Sequence, residues 1–319
     1  MTVSDIKKVA CLGGGVIGSA WAINFAMYGK DVVLRDINEE MVAKSQAQIT
    51  QYLDSMVAAD ALTEERKTEI MRRITMTTSI EDALRDVQFI QENGPERLPI
   101  KQSILADVDK YAPADAIYAS STSGLLITDI ARGSAHPERC VGGHPYNPPH
   151  LIPLVELTKG EETDPAVVKL AYDFYQSVGK ESVLLNKECP GFIANRLQMA
   201  IYREMIDLVQ RGVCSVEDVD KALVFGPGIR WGVYGQNMVM QMGNPGGLKG
   251  MMEMLGNVPN TWLADMADWK TMPTDWSEFQ KGVDQEMANF PDFKGHTNAE
   301  CAEFRDKALI DILKIHRKL

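Results

Sequence analysis

Lys7-Lys8-Val9-Ala10-Cys11-Leu12-Gly13-Gly14-Gly15-Val16-Ile17-Gly18 is the stretch that decides the fold. Its first half reads as a buried strand. Its second half is a G-x-G-x-x-G loop, followed by an apolar run from Ser19 to Tyr28 with the pattern of a packed helix. A second strand, Asp31 to Leu34, leads to Asp36, eighteen positions past Gly18. Strand, glycine loop, helix, strand and acid in that order form a dinucleotide-binding unit. Gly13 allows the tight turn, Gly15 lets backbone approach a pyrophosphate, and Gly18 permits close packing of the helix. The helix start at Val16 and Ile17 offers unpaired N–H groups and a positive dipole end to phosphate. Asp36 is placed to accept from a ribose 2′-hydroxyl and to repel a 2′-phosphate, which favours NAD over NADP. Arg35 beside it argues mildly the other way, and FAD shares the same fingerprint.

The remaining pattern continues the strand and helix alternation. Asn38 opens a helix to about Ala59, and Glu64 to Arg73 forms a hairpin with it. Strands follow at Ile74–Thr77, Val87–Gln91 and Ala116–Ala119, with a helix near Pro99–Lys110. Arg139–Gly143 and Leu151–Leu157 read as strands around a proline-rich turn. Asp164-Pro165 starts a helix to about Val178, and Glu181–Leu185 is the last strand. From Pro190-Gly191 the signals are helical: Ile193, Leu197, Ile201, Met205 and Leu208 recur every three to four residues, Gly212 ends that helix, and Ser215-x-x-Asp218 resembles a capping box. The expected class is α/β: a Rossmann-type, doubly wound, mainly parallel sheet with a helical-hairpin insertion over residues 1–187, followed by an all-α domain over 188–319. Residues 258–297 show no clear period.

At 319 residues the chain is long enough for two domains, and 45% hydrophobic with 24% charged residues is an ordinary globular balance. A net charge of −11 argues against nucleic acid and anionic membrane as partners. No apolar run approaches a membrane span and no leader opens the chain, so a cytoplasmic protein is expected. Cys11, Cys140, Cys189, Cys214 and Cys301 are scattered without a C-x-x-C, which fits free thiols and neither a disulfide framework nor a metal site.

Ligands of doubly wound sheets lie beyond the carboxyl ends of the strands. Three such ends are polar: Ser120-Ser121-Thr122-Ser123-Gly124, Gly143-His144-Pro145-Tyr146-Asn147-Pro148, and Glu156 in Pro153-Leu154-Val155-Glu156-Leu157. An unpaired carboxylate within an apolar strand is costly. A hairpin would return Glu156 beside His144, giving a general base with an orienting acid. The plain alternative is a structural histidine near a turn, with Glu156 on a solvent edge.

The glycine loop, Glu92-x-x-x-Glu96, Ser-Ser-Thr-Ser, Gly-His-Pro-Tyr-Asn-Pro, Pro-Leu-Val-Glu and Pro190-Gly191-Phe192-Ile193-Ala194-Asn195-Arg196 together resemble the L-3-hydroxyacyl-CoA dehydrogenase superfamily, over residues 5 to about 225. The resemblance implies that His144 is the base and Glu156 its partner. It implies that Ser123 and Asn195 contact the substrate or nicotinamide side, that Asn147 helps build the site, and that Glu96 and Lys101 line the cofactor region. It also implies NAD as cofactor and a homodimer through the helical domain, with no metal.

Two departures favour a small free 3-hydroxy acid over an acyl-CoA. Ser121 stands where the acyl-CoA enzymes usually have Asn, and the hairpin carries no Lys or Arg from Ser45 to Glu65 to meet CoA phosphates. The stretches 143–156 and Phe225-Gly226-Pro227-Gly228-Ile229-Arg230-Trp231 are similar to the carnitine 3-dehydrogenase and lambda-crystallin (L-gulonate 3-dehydrogenase) branch. Arg230 is then a candidate for a substrate carboxylate, and Trp231 or Tyr234 for a trimethylammonium group through cation–π attraction. Core, interface or ion-pair roles are the alternative for these three. Gln236 departs from the branch and leaves a sugar acid or another betaine open as substrate. The stretch containing Met238, Met240, Met242, Met251, Met252 and Met254 reads as adaptable interface packing. The competing readings are an acyl-CoA dehydrogenase and a non-catalytic NAD-binding structural protein. Asp36→Ala is expected to weaken NAD binding and relax discrimination against NADP; an unchanged preference in paired titrations would refute the ribose role.

Overall fold

A computed structural model describes residues 1–319 as two compact units, Met1–Ala194 with Arg317–Leu319, and Asn195–His316. The first unit is one eight-stranded sheet. Its strands are β1 (Lys8–Leu12), β2 (Asp31–Arg35), β3 (Ile74–Thr77), β4 (Phe89–Glu92), β5 (Ile117–Ser120), β6 (Cys140–Pro145), β7 (Leu154–Lys159) and β8 (Glu181–Leu184). Their order is β3-β2-β1-β4-β5-β6-β7-β8, and every pairing is parallel except β6 with β7. The flanking helices are α1 (Val16–Met27), α2 (Glu39–Ala58), α3 (Glu64–Arg72), α4 (Ile80–Leu84), α5 (Leu98–Tyr111), α6 (Ile127–Ala131) and α7 (Pro165–Ser177). The short helices α4 and α6 are too brief to leave a period in the sequence.

One face of the sheet is held by an aromatic cluster. Phe89 on β4 lies 4.4 Å from Phe174 and 5.4 Å from Tyr175, ring centre to ring centre, and Phe25 stacks on Trp21 at 4.9 Å. Helix α1 is buried nearly all round, so its sequence is apolar without a polar stripe. The caps follow the sequence: Asn38 accepts from Met41 N, Thr63 from Arg66 N, and Asp164 from Ala166 N ahead of Pro165.

The second unit contains α8 (Ala194–Gln210, entered from the first unit), α9 (Val216–Leu223), α10 (Ile229–Trp231), α11 (Gln236–Met242), α12 (Gly247–Leu255), α13 (Val258–Asp265), α14 (Ser277–Ala288) and α15 (Asn298–Ile315). Ser215 caps α9, accepting from Asp218 N. The Asp218 carboxylate takes the Ser215 hydroxyl, so only half of a capping box forms. The aperiodic stretch from 258 onward divides into α13 and α14, and Trp276 just before α14 stacks on Tyr202 of α8. Residues 188–194 pack with the sheet unit. Glu188 accepts the backbone N–H and hydroxyl of Thr128 at the start of α6, and Ile193 and Ala194 donate to Glu156.

The glycine loop is built for contact on one side and room on the other. Gly13 has φ +96°, a region that favours glycine. A Cβ on Gly18 would fall 1.8 Å from the Gly13 carbonyl oxygen, so this glycine lets the helix close on the loop itself. A Cβ on Gly14 would fall 2.1 Å from Ser45 Oγ and 2.8 Å from Leu34 Cδ2, whereas one on Gly15 would meet nothing within 4 Å. Gly14→Ala is therefore expected to cost about 1–3 kcal/mol in urea unfolding through overpacking. Gly15→Ala should leave stability within about 0.5 kcal/mol while weakening NAD binding. Equal stabilities for the two variants would show the loop to be looser than described.

Candidate active site

The antiparallel register of β6 and β7 sets His144 directly opposite Glu156. The His144 ring is 5% exposed and Glu156 is wholly buried. His144 Nδ1 and Glu156 Oε2 are 2.9 Å apart. Glu156 Oε1 accepts from Ile193 N at 2.8 Å and Ala194 N at 2.9 Å, the N–H groups that open α8. Burial pushes the Glu156 pKa up, but the bond from His144, those from Ala194 and Ile193, and the charge of His144 outweigh it, so its pKa lies below the ordinary 4.5. An ionised Glu156 fixes the Nδ1 proton and leaves Nε2 as the nitrogen that accepts a proton. The histidine ring is walled by Phe192 at 5.2 Å and Tyr146 at 5.8 Å. Phe192 has φ +51°, unusual for a bulky residue, and its N–H reaches Cys189 O, so the turn before α8 is bent to present this ring.

The glycine-loop end is equally well tied. Asp36 Oδ2 accepts from Gly14 N at 2.8 Å and Oδ1 from Ile37 N at 2.7 Å. Ser19 and Ser45 both donate to Gly14 O. Arg35 Nε turns to Thr78 O. These residues fit NAD: the glycine turn is preformed, the space above Gly15 is open, and an acid with spare lone pairs stands at the end of β2.

Glu96 organises the Ser-Ser-Thr-Ser loop. Its Oε1 accepts from Thr122 Oγ1, Ser123 N and Gly124 N at 2.6–3.0 Å. Burial raises its pKa, but the Thr122 bond, the Lys101 charge and the two N–H groups carry it below the ordinary value. Lys101 is buried. Its ammonium is held by Glu92 at 3.0 and 3.1 Å and by Gly94 O, with Glu96 at 3.5 Å. It braces the cofactor side from beneath and does not line its surface. Ser123 and Asn147 are exposed at their strand ends. Ser121 turns inward, accepting from Gln91 Nε2 and donating to Asn93 Oδ1, so this departure from the family pattern carries little about substrate length.

Within the helical unit, Asn195 stands in the first turn of α8. Arg230 and Tyr234 share a hollow of about 390 Å³ with Ile229, Val233, Val239 and Met242. Trp231 is not in its wall; its indole N–H donates to Gln236 Oε1 at 2.7 Å. The sequence reading missed Phe192, Tyr146, Ser45 and the buried Gln91, which accepts from Tyr175 and donates to Gly143 O. Gly143 offered the one signal, since glycine within a strand marks close approach, and a Cβ there would meet Tyr175 Oη at 1.9 Å.

Fold and site together define a nicotinamide-dependent dehydrogenase, and comparison with known proteins agrees. Residues 8–189 match the NAD binding domain of 3-hydroxyacyl-CoA dehydrogenase, and residues 191–285 match its C-terminal domain. An L-carnitine dehydrogenase of Streptomyces griseus is 36% identical, covering 99% of this chain and 91% of that one. A Gibberella moniliformis protein described as a 3-hydroxyacyl-CoA dehydrogenase is 37% identical over 99% and 96%. Among solved structures, an NAD+ dependent dismutase, 5-formyl-3-hydroxy-2-methylpyridine 4-carboxylic acid 5-dehydrogenase, superposes with a TM-score of 0.80 at 26% identity, covering 98% of each chain. The chain belongs to the 3-hydroxyacyl-CoA dehydrogenase family and is an NAD-dependent oxidoreductase. No helix is long and apolar enough to cross a membrane.

The depressed Glu156 pKa gives a signed pH test. A carboxyl with a lowered folded pKa contributes stability that is present above its unfolded value, near 4.5, and is lost as pH falls through the folded value. Glu156→Gln is expected to flatten that acid limb in thermal melts from pH 6 downward, and to lower turnover at neutral pH by about 10²–10⁴. An acid limb identical to the parent's would show that Glu156 is not held ionised.

Proposed function

We propose that the protein oxidises the 3-hydroxyl of a small free 3-hydroxy acid, carnitine-like in form, to the 3-oxo acid. The observation that carries this reading is the buried His144–Glu156 contact at 2.9 Å, anchored by the N–H groups that open α8. Bound NAD supplies the hydride acceptor. His144 Nε2 takes the proton of the secondary hydroxyl as the hydride leaves its carbon, and Glu156 stabilises the imidazolium that forms. Ser123 and Asn195 donate to the oxygen on which charge develops, with Asn147 shaping the same rim. Such a donor is worth about 3 kcal/mol in a water-excluded site. In the reverse direction the protonated His144 polarises the carbonyl.

The substrate class rests on three supports. Relatives named L-carnitine dehydrogenase align over nearly the whole chain. The superposed pyridine-carboxylate dehydrogenase is itself named for a free acid. The hollow beside Arg230 and Tyr234 offers a guanidinium for a carboxylate and an aromatic face for a quaternary ammonium. Trp231, tied to Gln236, acts as support for this wall. A second reading, an acyl-CoA substrate, is favoured by the Gibberella relative.

The helical unit also leaves Phe225, Met254, Trp262, Leu263 and Phe293 each at least 59% exposed. That much uncovered apolar surface supports a homodimer through this domain.

Following NAD reduction with L-carnitine, L-gulonate and 3-hydroxybutyryl-CoA separates these readings. Turnover is expected with a free acid, and Arg230→Met should raise its KM by about tenfold or more through the lost charge-assisted pair. Turnover of the thioester alone would overturn the substrate assignment.

A further inference from the structure

We propose that Lys180 is a positioning residue for the His144–Glu156 dyad: its buried ammonium grips the carbonyl groups of the proline-rich loop joining the two strands that carry them. This rests on the dyad reading above. Residues 146–153 cross from β6 to β7 without regular structure. Three of them, Pro148, Pro149 and Pro153, have no N–H to donate. Leu151 N and Ile152 N both return to Pro148 O, which closes a local turn and leaves the carbonyls of Pro149 and Ile152 in need of donors. Both find one in Lys180, whose Nζ bonds Pro149 O and lies 3.3 Å from Ile152 O.

The lysine is itself held by the cofactor helix. Its ammonium sits 4.9 Å from the ring centre of Trp21 on α1. Three residues further along α1, Asn24 Nδ2 donates to Val178 O at 3.1 Å. A Cβ on Gly179, at φ +79°, would collide with Tyr28 Oη. The turn Val178–Lys180 therefore rests on the helix that follows the glycine loop, and the catalytic loop rests on that turn. From the other side the loop is covered by Tyr52 of α2, which stacks on His150 at 4.6 Å.

Lys180 is 2% exposed and faces carbonyls and a ring. Burial alone drives its pKa down to about 7. An unbranched apolar side chain would fill the same space with less desolvation. What it would lack is the N–H donors that fix two points of the loop between His144 and Glu156.

The test uses the full chain with the best substrate of the panel above. Lys180→Met keeps the length and removes the donors, Lys180→Arg restores them, and His144→Gln is the reference. Lys180→Met is expected to lower kcat about 10–100-fold, the scale of a misplaced catalytic group, with NAD affinity within about twofold of the parent and recovery of most of kcat in Lys180→Arg. If Lys180→Met does not fold, Lys180→Gln carries the same comparison. A kcat within about twofold of the parent, or equal losses in kcat and NAD affinity without recovery by arginine, would overturn the proposal. Full activity in His144→Gln would remove the dyad reading itself. An inactive His144→Gln beside a fully active Lys180→Met would remove only the clamp.

Discussion

A carboxylate taken out of water must be met by donors, and this sheet gathers three buried carboxylates, Asp36, Glu92 and Glu156, and the partly exposed Glu96 along the edge where β2, β4 and β6 end. Asp36 follows β2 and takes the N–H groups of Gly14 and Ile37. Glu92 ends β4 and takes Gly94 N, the Ser120 hydroxyl and the Lys101 ammonium. Glu96 takes Thr122, Ser123 and Gly124. Glu156 takes His144 and the start of α8. In each case at least one partner comes from a segment distant from the acid: Gly14 for Asp36, Ser120 for Glu92, the serine loop for Glu96, and His144 for Glu156. The desolvation cost of the carboxylate thus enforces the relative placement of loops that have little apolar surface of their own. The glycine turn, the serine loop, the histidine and the entry to the helical unit are organised by the same device. A chain of net charge −11 spends part of that acidity at one end of one sheet.

Much of this was legible in the sequence, because the signals are local. Strand, G-x-G-x-x-G and Asp36 lie within one βαβ unit, and His144 and Glu156 lie within one hairpin, so their meeting depends on a single register. Glu156 stood out as a charge within an apolar strand. Glu92, within Glu92-x-x-x-Glu96, carries the same signal, but its donors Ser120 and Lys101 lie in other elements and no local pattern names them. What could not be read depends on distant pairs. Ser45 sits mid-helix on α2, yet its hydroxyl and Gly14 define one side of the glycine loop. Gln91 is thirty residues from Ser121 and fifty-two from Gly143, yet it bonds both. Phe192 reaches the His144 ring through a positive φ that the residue type disfavours. At Ser215 the Asp218 carboxylate takes the serine hydroxyl, whereas at Thr2 the aspartate in the same position, Asp5, also takes the cap N–H and completes the box, so spacing and residue type alone do not decide the second half.

The balance between a free acid and a thioester substrate turns on where positive charge stands. An acyl-CoA brings several phosphate charges, and each needs a cation within a few ångströms to offset its desolvation. Lys44, Arg66 and Lys67 at the margins of the α2–α3 hairpin are paired with Glu40, Glu69, and Asp54 with Glu64. Exposed pairs of this kind are worth about 1 kcal/mol or less and would yield to a phosphate, so the pairing alone excludes nothing. The number of cations matters more, and from Ser45 to Glu65 the hairpin has none to yield. A small acid asks for one guanidinium. Arg230, itself exposed, stands on the wall of a hollow whose other lining includes Ile229, Val233, Tyr234, Val239 and Met242, and it is the guanidinium proposed for that role. The absence of cations from 45 to 65 is thus a support for the free-acid substrate proposed above, because a phosphate-rich tail would find no partner on that stretch.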